Sequence, residues 1–527
     1  MLIKTQSDEI QSYLTDSSYL PPGRADEVVF PENAEAVAAI LRDATRNKVP
    51  VTISGAGTGT VGGRVPAGGI VLATDKLNQI KSIVHNPDGG GSVVVEAGVR
   101  VVDLQKFVES EKLFYPPDPT ERSCFVGGTV ATNASGARTF KYGPTRNYVQ
   151  RLKIALAGGE LIDLRRNHVR VDSTGQVALP LANGANIQLQ LPRYQMPQTR
   201  KHSAGYYVVP EMDLIDVFIG SEGTLGVIVE VELALILRPV GLLSGVVFFS
   251  AENDLLQFVA DARRVSLANR PSLAAQIKLG KLMERALSVT DRHSREPSEG
   301  RKPVTVDARA LEYFDDQSLN FLRQKYESIP AEAIGAIFFE QETTSETADE
   351  LMQGWFALLE KHNALADTSW FATNENDQAR LREFRHALPV LMNEWFSQHK
   401  QRKVSTDMSV PDAAFPDILG FYKTTLQASA LPYTIFGHIG DNHVHVNILP
   451  RNDEEATKAR EIYLSFVKRV AEVGGTLSAE HGIGKLKRDY LRLFYSEEDL
   501  RQMAALKKAL DPAGILGRGN IFAEEYL

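Results

Sequence analysis

The most constraining feature of the chain is a glycine-rich run, Gly55 to Gly69, that directly follows the strand-like segment Pro50-Val51-Thr52-Ile53. Within it Gly57-Thr58-Gly59-Thr60-Val61-Gly62 matches G-x-G-x-x-G, and Asp75 follows 18 residues after Gly57. In a Rossmann unit that motif opens a helix whose N-terminus holds a pyrophosphate. Here the continuation is Gly63-Arg64-Val65-Pro66-Ala67-Gly68-Gly69. A helix through it would lose about 1 kcal/mol for each Gly and about 3 for Pro66. The run is therefore a loop. Its closely spaced backbone N–H groups, unobstructed by Cβ atoms and next to Thr and Ser hydroxyls, form the kind of nest that takes phosphate oxygens without a helix. Taken alone, it also fits an ordinary surface loop.

Two further loops share this texture: Gly127-Gly128-Thr129-Val130-Ala131-Thr132-Asn133-Ala134-Ser135-Gly136, continued by Lys141-Tyr142-Gly143-Pro144-Thr145-Arg146, and Gly220-Ser221-Glu222-Gly223-Thr224-Leu225-Gly226. Three small-residue loops within the first 240 residues suggest close backbone approach to a long, flat ligand. Composition narrows what that ligand does. At 527 residues, 43% hydrophobic and 24% charged, the chain has the make-up of an ordinary globular protein with room for about three or four structural units. A net charge of −8 argues against a nucleic-acid partner. Cys124 is the one cysteine, so neither an internal disulfide nor a Cys-ligated iron–sulfur cluster is available. The N-terminus shows no apolar signal core, and Thr224 to Ser250 is broken by Glu230, Glu232, Arg238 and Pro239. It reads as two strands, not a membrane span, and the expected compartment is the cytoplasm.

Residues 34–47 predict a helix with Val37, Ile40, Leu41 and Ala44 on one face and Asn33 as its cap. Residues 150–164 predict a hairpin around Gly158-Gly159. Residues 165–205 read as an excursion with few core residues. Beyond Pro239, strand-like runs (Leu243–Phe249, Ala310–Phe314, Ala336–Glu340) alternate with amphipathic helices around a polar loop at 291–303, and helices are expected near 454–473 and 496–509. That is an α+β or α/β layer pattern. The expected division is 1–240, 241–430 and 431–527.

Residues 435–448 read Ile-Phe-Gly-His-Ile-Gly-Asp-Asn-His-Val-His-Val-Asn-Ile. Asp441-Asn442 suits a two-residue hairpin loop, which would set His438 opposite His445 and let the two imidazoles share a cation. His443 would lie on the same face. Ser478-Ala479-Glu480-His481-Gly482-Ile483-Gly484 offers a carboxylate and a further His in a Gly-flanked turn. Two His and one carboxylate suit zinc, with iron or manganese as alternatives. The bland alternative is a set of hydrogen-bonded core and turn histidines.

The motifs "SGAGTGTVGG", "GGTVATNASGARTFKYGPTRNYV", "IGSEGTLGVIVEVEL", "FGHIGDNHVHVNIL", "GGTLSAEHGIGKLKRDYL" and "LKKALDPAGILGRGNIF" run from about residue 54 to 522. With them the chain resembles the vanillyl-alcohol-oxidase / p-cresol-methylhydroxylase (PCMH) superfamily, in particular the branch of glycolate oxidase D subunit, D-lactate dehydrogenase and D-2-hydroxyglutarate dehydrogenase. The resemblance implies a two-subdomain PCMH-type FAD-binding fold at 1–240, a ferredoxin-like α+β cap at 241–430, and a C-terminal helical segment that packs back on the first domain. It implies FAD held by Ser54, Gly55, Ala56, Gly57, Thr58, Gly59, Thr60, Gly62 and Gly63, by Gly127, Gly128, Asn133, Ala134, Gly136 and Thr145, and by Glu222, Gly223, Gly226 and Ile228. No histidine stands at a flavin-attachment position, so the FAD is expected to be non-covalent. The metal set it implies is His438, His445 and Glu480, with His481 as general base.

Leu381-Arg382-Glu383-Phe384-Arg385-His386 resembles the family's substrate-arginine region, with Arg385 first and Arg382 second as the grip on a substrate carboxylate. The implied reaction oxidises a 2-hydroxy acid such as D-lactate or glycolate to the 2-oxo acid. Hydride passes to the flavin, metal-assisted deprotonation removes the hydroxyl proton, and an unassigned protein, quinone or oxygen accepts the electrons. The expected partners allow for a homodimer. Several positions depart from the family. Asn442 and His443 stand where Gly and Asn are common, a change able to alter the metal or its occupancy. Ser405 replaces a lysine expected two residues before Asp407 in hydroxyglutarate enzymes, so the reading does not extend to hydroxyglutarate. In Lys201–Val208, His202 and Ser203 replace two residues. The rivals are a metal-dependent hydrolase using the His/Glu cluster and a non-enzymatic flavoprotein that passes electrons.

Overall fold

The computed structural model describes residues 1–87, 89–268, 270 and 305–527. The polar loop expected at 291–303 lies outside the described residues. The chain opens with a four-stranded sheet in the order Leu2–Lys4, Glu27–Phe30, Ile70–Ala73, Val51–Ser54. Its last three strands run parallel. The expected helix forms at Ala34–Asn47, with the Asn33 side chain accepting from the Ala36 N–H. Val37, Leu41 and Ala44 are buried on this sheet and Ile40 is half-buried, which is the predicted face. The run after Val51–Ser54 stays non-helical up to Ile70, as its Gly and Pro content dictates.

A six-stranded antiparallel sheet follows, in the order Ile80–His85, Gly91–Glu96, Val227–Leu237, Val149–Ala155, Leu161–Arg165, with Leu113–Phe114 also on Val227–Leu237. The hairpin predicted around Gly158-Gly159 is present, pairing Leu152 with Leu164. The apolar stretch after Thr224 forms two strands, Val227–Leu237 and Gly241–Phe249, in two different sheets. Residues 165–205 correct an expectation. They carry a hairpin, Gln176–Pro180 with Asn186–Gln190. Val177, Leu179, Leu189 and Leu191 enter the main core, because the alternation that looks weak in sequence turns one apolar edge inward.

The third sheet has seven strands: Trp370–Ala372, Gly241–Phe249, Gly335–Thr343, Ala308–Phe314, Tyr433–Gly437, His445–Ile448, Val404–Ser405. Helices Glu252–Ala268 and Ala348–Lys361 cover one face, where Trp355 stacks on Phe339 with ring centroids 3.9 Å apart. The 25-residue helix Glu375–His399 covers the other through Phe384 and Leu388. Strand pairing crosses the expected boundary at 430/431, since Tyr433–Gly437 pairs with Ala308–Phe314. The remainder of the C-terminal segment returns to the first half of the chain. Lys507, on helix Glu497–Leu510, is buried and donates to Thr224 O at 3.0 Å, Asp511 Oδ2 at 2.7 Å and Leu516 O at 2.9 Å. The Val51 N–H donates to Ile515 O at 2.8 Å. The architecture is α+β, and no described helix is long and apolar enough to cross a membrane.

Candidate active site

The three Gly-rich loops meet around one cavity of about 310 Å³. Gly55, Ala56, Gly57, Thr58, Gly59, Thr60 and Gly63 line it from the first loop, Gly127, Gly128 and Ala134 from the second, and Glu222, Gly223, Gly226 and Ile228 from the third. Glu480 and His481 close it from the tail. The other expected FAD residues stand behind this lining. The Ser54 carbonyl accepts from Thr74 Oγ1. Gly62 O accepts from Lys485. Asn133 Oδ1 accepts from the Arg146 N–H at 3.0 Å, Thr145 Oγ1 donates to Ala134 O at 2.7 Å, and the Gly136 N–H donates to Thr139 Oγ1.

The cavity fits an extended nucleotide. A Cβ built on Gly59 or Gly128 meets no atom within 4 Å, so both glycines face open space where a ligand approaches backbone. The tail loop is docked with little tolerance. Gly484 has φ +52°, and a Cβ there would collide with the Val61 carbonyl. Glu222 accepts from the Ile483 and Gly484 N–H groups at 2.7 Å each. Burial nonetheless pushes its carboxyl up to about 7. Cys124 also lines the cavity, and burial pushes its thiol up to about 12.

At the tail side, imidazoles gather on one carboxylate oxygen. Glu480 Oε1 lies 3.3 Å from His438 Nε2, 3.4 Å from His445 Nε2 and 3.7 Å from His481 Nε2. The far nitrogens of the first two are fixed. His438 Nδ1 sits 2.6 Å from Glu312 Oε1, and His445 Nδ1 sits 3.0 Å from Thr406 O. In neutral rings those acceptors favour the proton on Nδ1, which leaves both Nε2 lone pairs directed at a common point, as ligating histidines require. Glu480 Oε2 accepts from Lys201 Nζ and from Ser135 Oγ, each at 3.0 Å. Burial opposes ionisation of Glu480, but Lys201 and His438 hold its carboxyl well below the usual range. The donor set fits a divalent ion: His438, His443, His445 and Glu480 each offer an atom within 4.8 Å of the others.

The approach of His438 to His445 differs from expectation. His445 pairs with Phe436, not His438. The two-residue loop is replaced by a 3₁₀ turn, Ile439–Asp441, and Asn442 takes the left-handed conformation at φ 52°. The longer turn tucks Gly440 against Phe140 and Leu311, and that burial sets the register. The imidazoles still converge, diagonally across the two strands.

His481 is the least buried member, with 34% side-chain exposure against 5% for His438 and 13% for His445. Its Nδ1 is 3.5 Å from Asp407 Oδ2. Burial of the ring, against the pull of Asp407 and Glu480, lowers its pKa to about 4. The imidazole is therefore neutral in the physiological range and able to accept a proton. Asp407 is in turn held by Lys487 Nζ at 2.7 Å and Ser478 Oγ at 2.5 Å. Arg385 is buried beside the cluster, not on the cavity wall. Its Nε and Nη2 bond Glu312 Oε2 at 3.1 and 3.0 Å, and Nη1 lies 3.4 Å from His386 Nε2. Arg382, the second choice, is on the same helix.

Sequence reasoning missed Glu312, Lys201 and Asp407 as members of this site. Glu312 carried a signal: it is the sole charge in the apolar run Ala310–Phe314, and the structure pairs both its oxygens. Lys201 carried one only through the family resemblance of Lys201–Val208, since nothing local reveals that a lysine in a loop becomes wholly buried.

Residues 25–165 match the FAD binding domain, and residues 302–521 match the FAD linked oxidases, C-terminal domain. Together they span more than half of the chain. The chain belongs to the FAD-linked oxidases. Among curated relatives, this FAD-linked oxidase is 28% identical to glycolate oxidase subunit GlcD of Bacillus subtilis (strain 168) over 95% of this chain and 89% of that protein. It is 29% identical to D-lactate dehydrogenase of Anaerostipes hadrus over 98% and 93%, and 27% identical to D-2-hydroxyglutarate dehydrogenase of Stutzerimonas stutzeri (strain A1501) over 99% and 96%. Among solved structures it shares its fold with alkyldihydroxyacetonephosphate synthase, with TM-score 0.61 and 14% identity over 98% of this chain and 81% of that one. It is an FAD-dependent oxidoreductase of α+β, PCMH-type architecture.

Proposed function

We propose that this FAD-linked oxidase oxidises a 2-hydroxy acid, D-lactate, glycolate or a related D-2-hydroxy acid, to the 2-oxo acid with metal-assisted deprotonation. The observation that carries this reading is the shared cavity. Glu480 and His481 lie in the same wall as the Gly-rich loops, so a substrate held at the imidazole cluster abuts the flavin side of the site. The names of the relatives supply the substrate class. A flavin bound there would supply a two-electron acceptor for hydride, and His438, His445 and Glu480 would hold a divalent ion able to polarise a substrate hydroxyl.

The chain's own residues do the rest. His481 takes the hydroxyl proton on its unprotonated ring, with Asp407 behind it to hold the imidazolium that forms. Glu312 ties Arg385 to His438, so the cation assigned to the substrate carboxylate and one ligand of the ion share a single support. Arg385 remains a cation throughout: burial opposes its charge, but Glu312 and Asp118 raise its pKa. With one cysteine, Cys124, the chain has no thiolates for a Cys-ligated relay of its own, so reoxidation falls to an external acceptor.

The test is anaerobic mixing of the purified yellow protein with a panel of D- and L-2-hydroxy acids, followed by flavin absorbance. Bleaching by a D-2-hydroxy acid, lost in His481→Ala with the FAD retained, is the expected outcome. A panel that bleaches nothing overturns the substrate class. A colourless protein that takes up no FAD would favour a metal-dependent hydrolase.

A further inference from the structure

We infer that the metal site of this chain has a third histidine ligand, His443, in addition to His438, His445 and Glu480. It rests on the metal reading above but asks a separate question of it. His443 is fully buried, and neither ring nitrogen has a hydrogen-bond partner among the described residues. Its Nε2 lies 3.2 Å from Asp407 Oδ1 without hydrogen-bond alignment. A buried polar group left unsatisfied costs about 1–3 kcal/mol, and an imidazole has two such atoms. Surface exposure cannot relieve them.

The surroundings show what would satisfy the ring. His443 lies between the other two imidazoles, with centroids 5.2 Å from His438 and 4.5 Å from His445. One of its nitrogens falls within 4.8 Å of the ligand atoms of His438, His445 and Glu480. Ligand atoms on a common ion with bonds of ~2.0–2.1 Å stand roughly 3–4 Å apart, so a modest contraction brings all four into one shell. With Nδ1 on the ion, a small rotation of the ring aligns Nε2–H with Asp407, which then acts on His443 as Glu312 acts on His438 and Thr406 on His445. Asp407 is charge-paired on its other oxygen, with Lys487 Nζ 2.7 Å from Oδ2. A three-imidazole, one-carboxylate set binds zinc or copper more tightly than a two-imidazole set and leaves fewer open positions.

The experiment uses the full-length flavoprotein stripped of metal by chelator. Copper(II) is added at one equivalent, and pulsed EPR counts the coupled imidazole nitrogens. In parallel, zinc affinity is measured by chelator competition. We expect three imidazoles in the unmodified protein and in His481→Ala, two in His443→Asn, and at least a tenfold loss of zinc affinity in His443→Asn with its FAD content retained. Two imidazoles in the unmodified protein, or two in His481→Ala, overturns the assignment. So does an unchanged count or affinity in His443→Asn. If His443→Asn fails to fold, the unmodified protein and His481→Ala decide alone. An unmodified protein that binds no ion removes metal assistance itself, whereas one that binds an ion through two imidazoles removes only the role of His443.

Discussion

The ammonium of Lys201 donates to Glu480 Oε2 at 3.0 Å from a wholly buried position. Two segments 279 residues apart are thus joined at the site. Lys201 also donates to Gly136 O at 3.1 Å. It therefore binds the second Gly-rich loop to the carboxylate and leaves Glu480 Oε1 free for the imidazoles. Removing one partner of a buried ion pair costs about 3–5 kcal/mol, because the other charge stays behind unpaired. Lys201→Met is expected to lower the metal-free unfolding free energy by that amount. Lys201→Met with Glu480→Gln together should recover much of it, since the orphaned charge is gone. Urea unfolding of Lys201→Met, Glu480→Gln and the double variant beside the unmodified protein is the measurement, and additive losses would show that the two groups do not interact.

Glu312 supports two residues at once, His438 through Oε1 and Arg385 through Oε2. Burial opposes its ionisation, yet Arg385 and His438 hold its carboxyl down at about 2. Substituting an outer partner of a ligating histidine lowers metal affinity about 10–100-fold. Glu312→Gln should show a loss of that size in chelator competition, with flavin content unchanged because Glu312 is not on the cavity wall. Unaltered zinc affinity in Glu312→Gln would mean that His438 needs no support to bind the ion.

Much of this arrangement is legible in the sequence because it is local. The Asn33-capped helix, the hairpin at Gly158-Gly159 and the non-helical glycine run each follow from residues a few positions apart. The histidine and Glu480 motifs are legible for a different reason: ligating residue types cluster there and nothing else in the chain resembles them. What stays hidden depends on contacts between distant segments. The register that pairs His445 with Phe436 is set by packing of Gly440 on Phe140. The core role of Leu179 and Leu189 needs the partner surface they fill. Lys201 stands in a stretch that resembles the family, but its partner Glu480 comes from the other end of the chain, so its role is not legible locally.

Gly127 and Gly128 are neighbours with opposite surroundings. A Cβ on Gly127 would press on Ala97 Cβ at 2.6 Å and on the Ala97 carbonyl at 3.0 Å, whereas one on Gly128 enters the cavity and meets nothing within 4 Å. Gly127→Ala is expected to destabilise the fold by about 1–3 kcal/mol through overpacking. Gly128→Val should leave the unfolding midpoint nearly unchanged and abolish FAD uptake. Absorbance of the purified protein at the flavin band, read beside its melting temperature, separates the two effects. A Gly128→Val protein that is as yellow as the unmodified one would show that the ligand does not pass over this residue.

Glu222 makes the flavin-free protein less stable at neutral than at mildly acidic pH. Its carboxyl has a folded-state pKa of about 7 against 4.5 for the free side chain, because burial outweighs the two N–H groups from Ile483 and Gly484. A raised carboxyl pKa means that the folded state binds the proton more tightly than the unfolded chain does. Stability from this group is therefore full below pH 4.5 and is lost as pH rises toward about 7. The shift corresponds to a loss on the order of 3 kcal/mol across that window. Glu222→Gln, which imitates the protonated acid, should keep its stability there while the unmodified protein declines. Urea unfolding of both flavin-free proteins at several pH values between 4.5 and 8 measures the difference. Parallel profiles would mean that Glu222 is ionised in the folded chain with no penalty, and that the tail loop is held by a carboxylate from the outset.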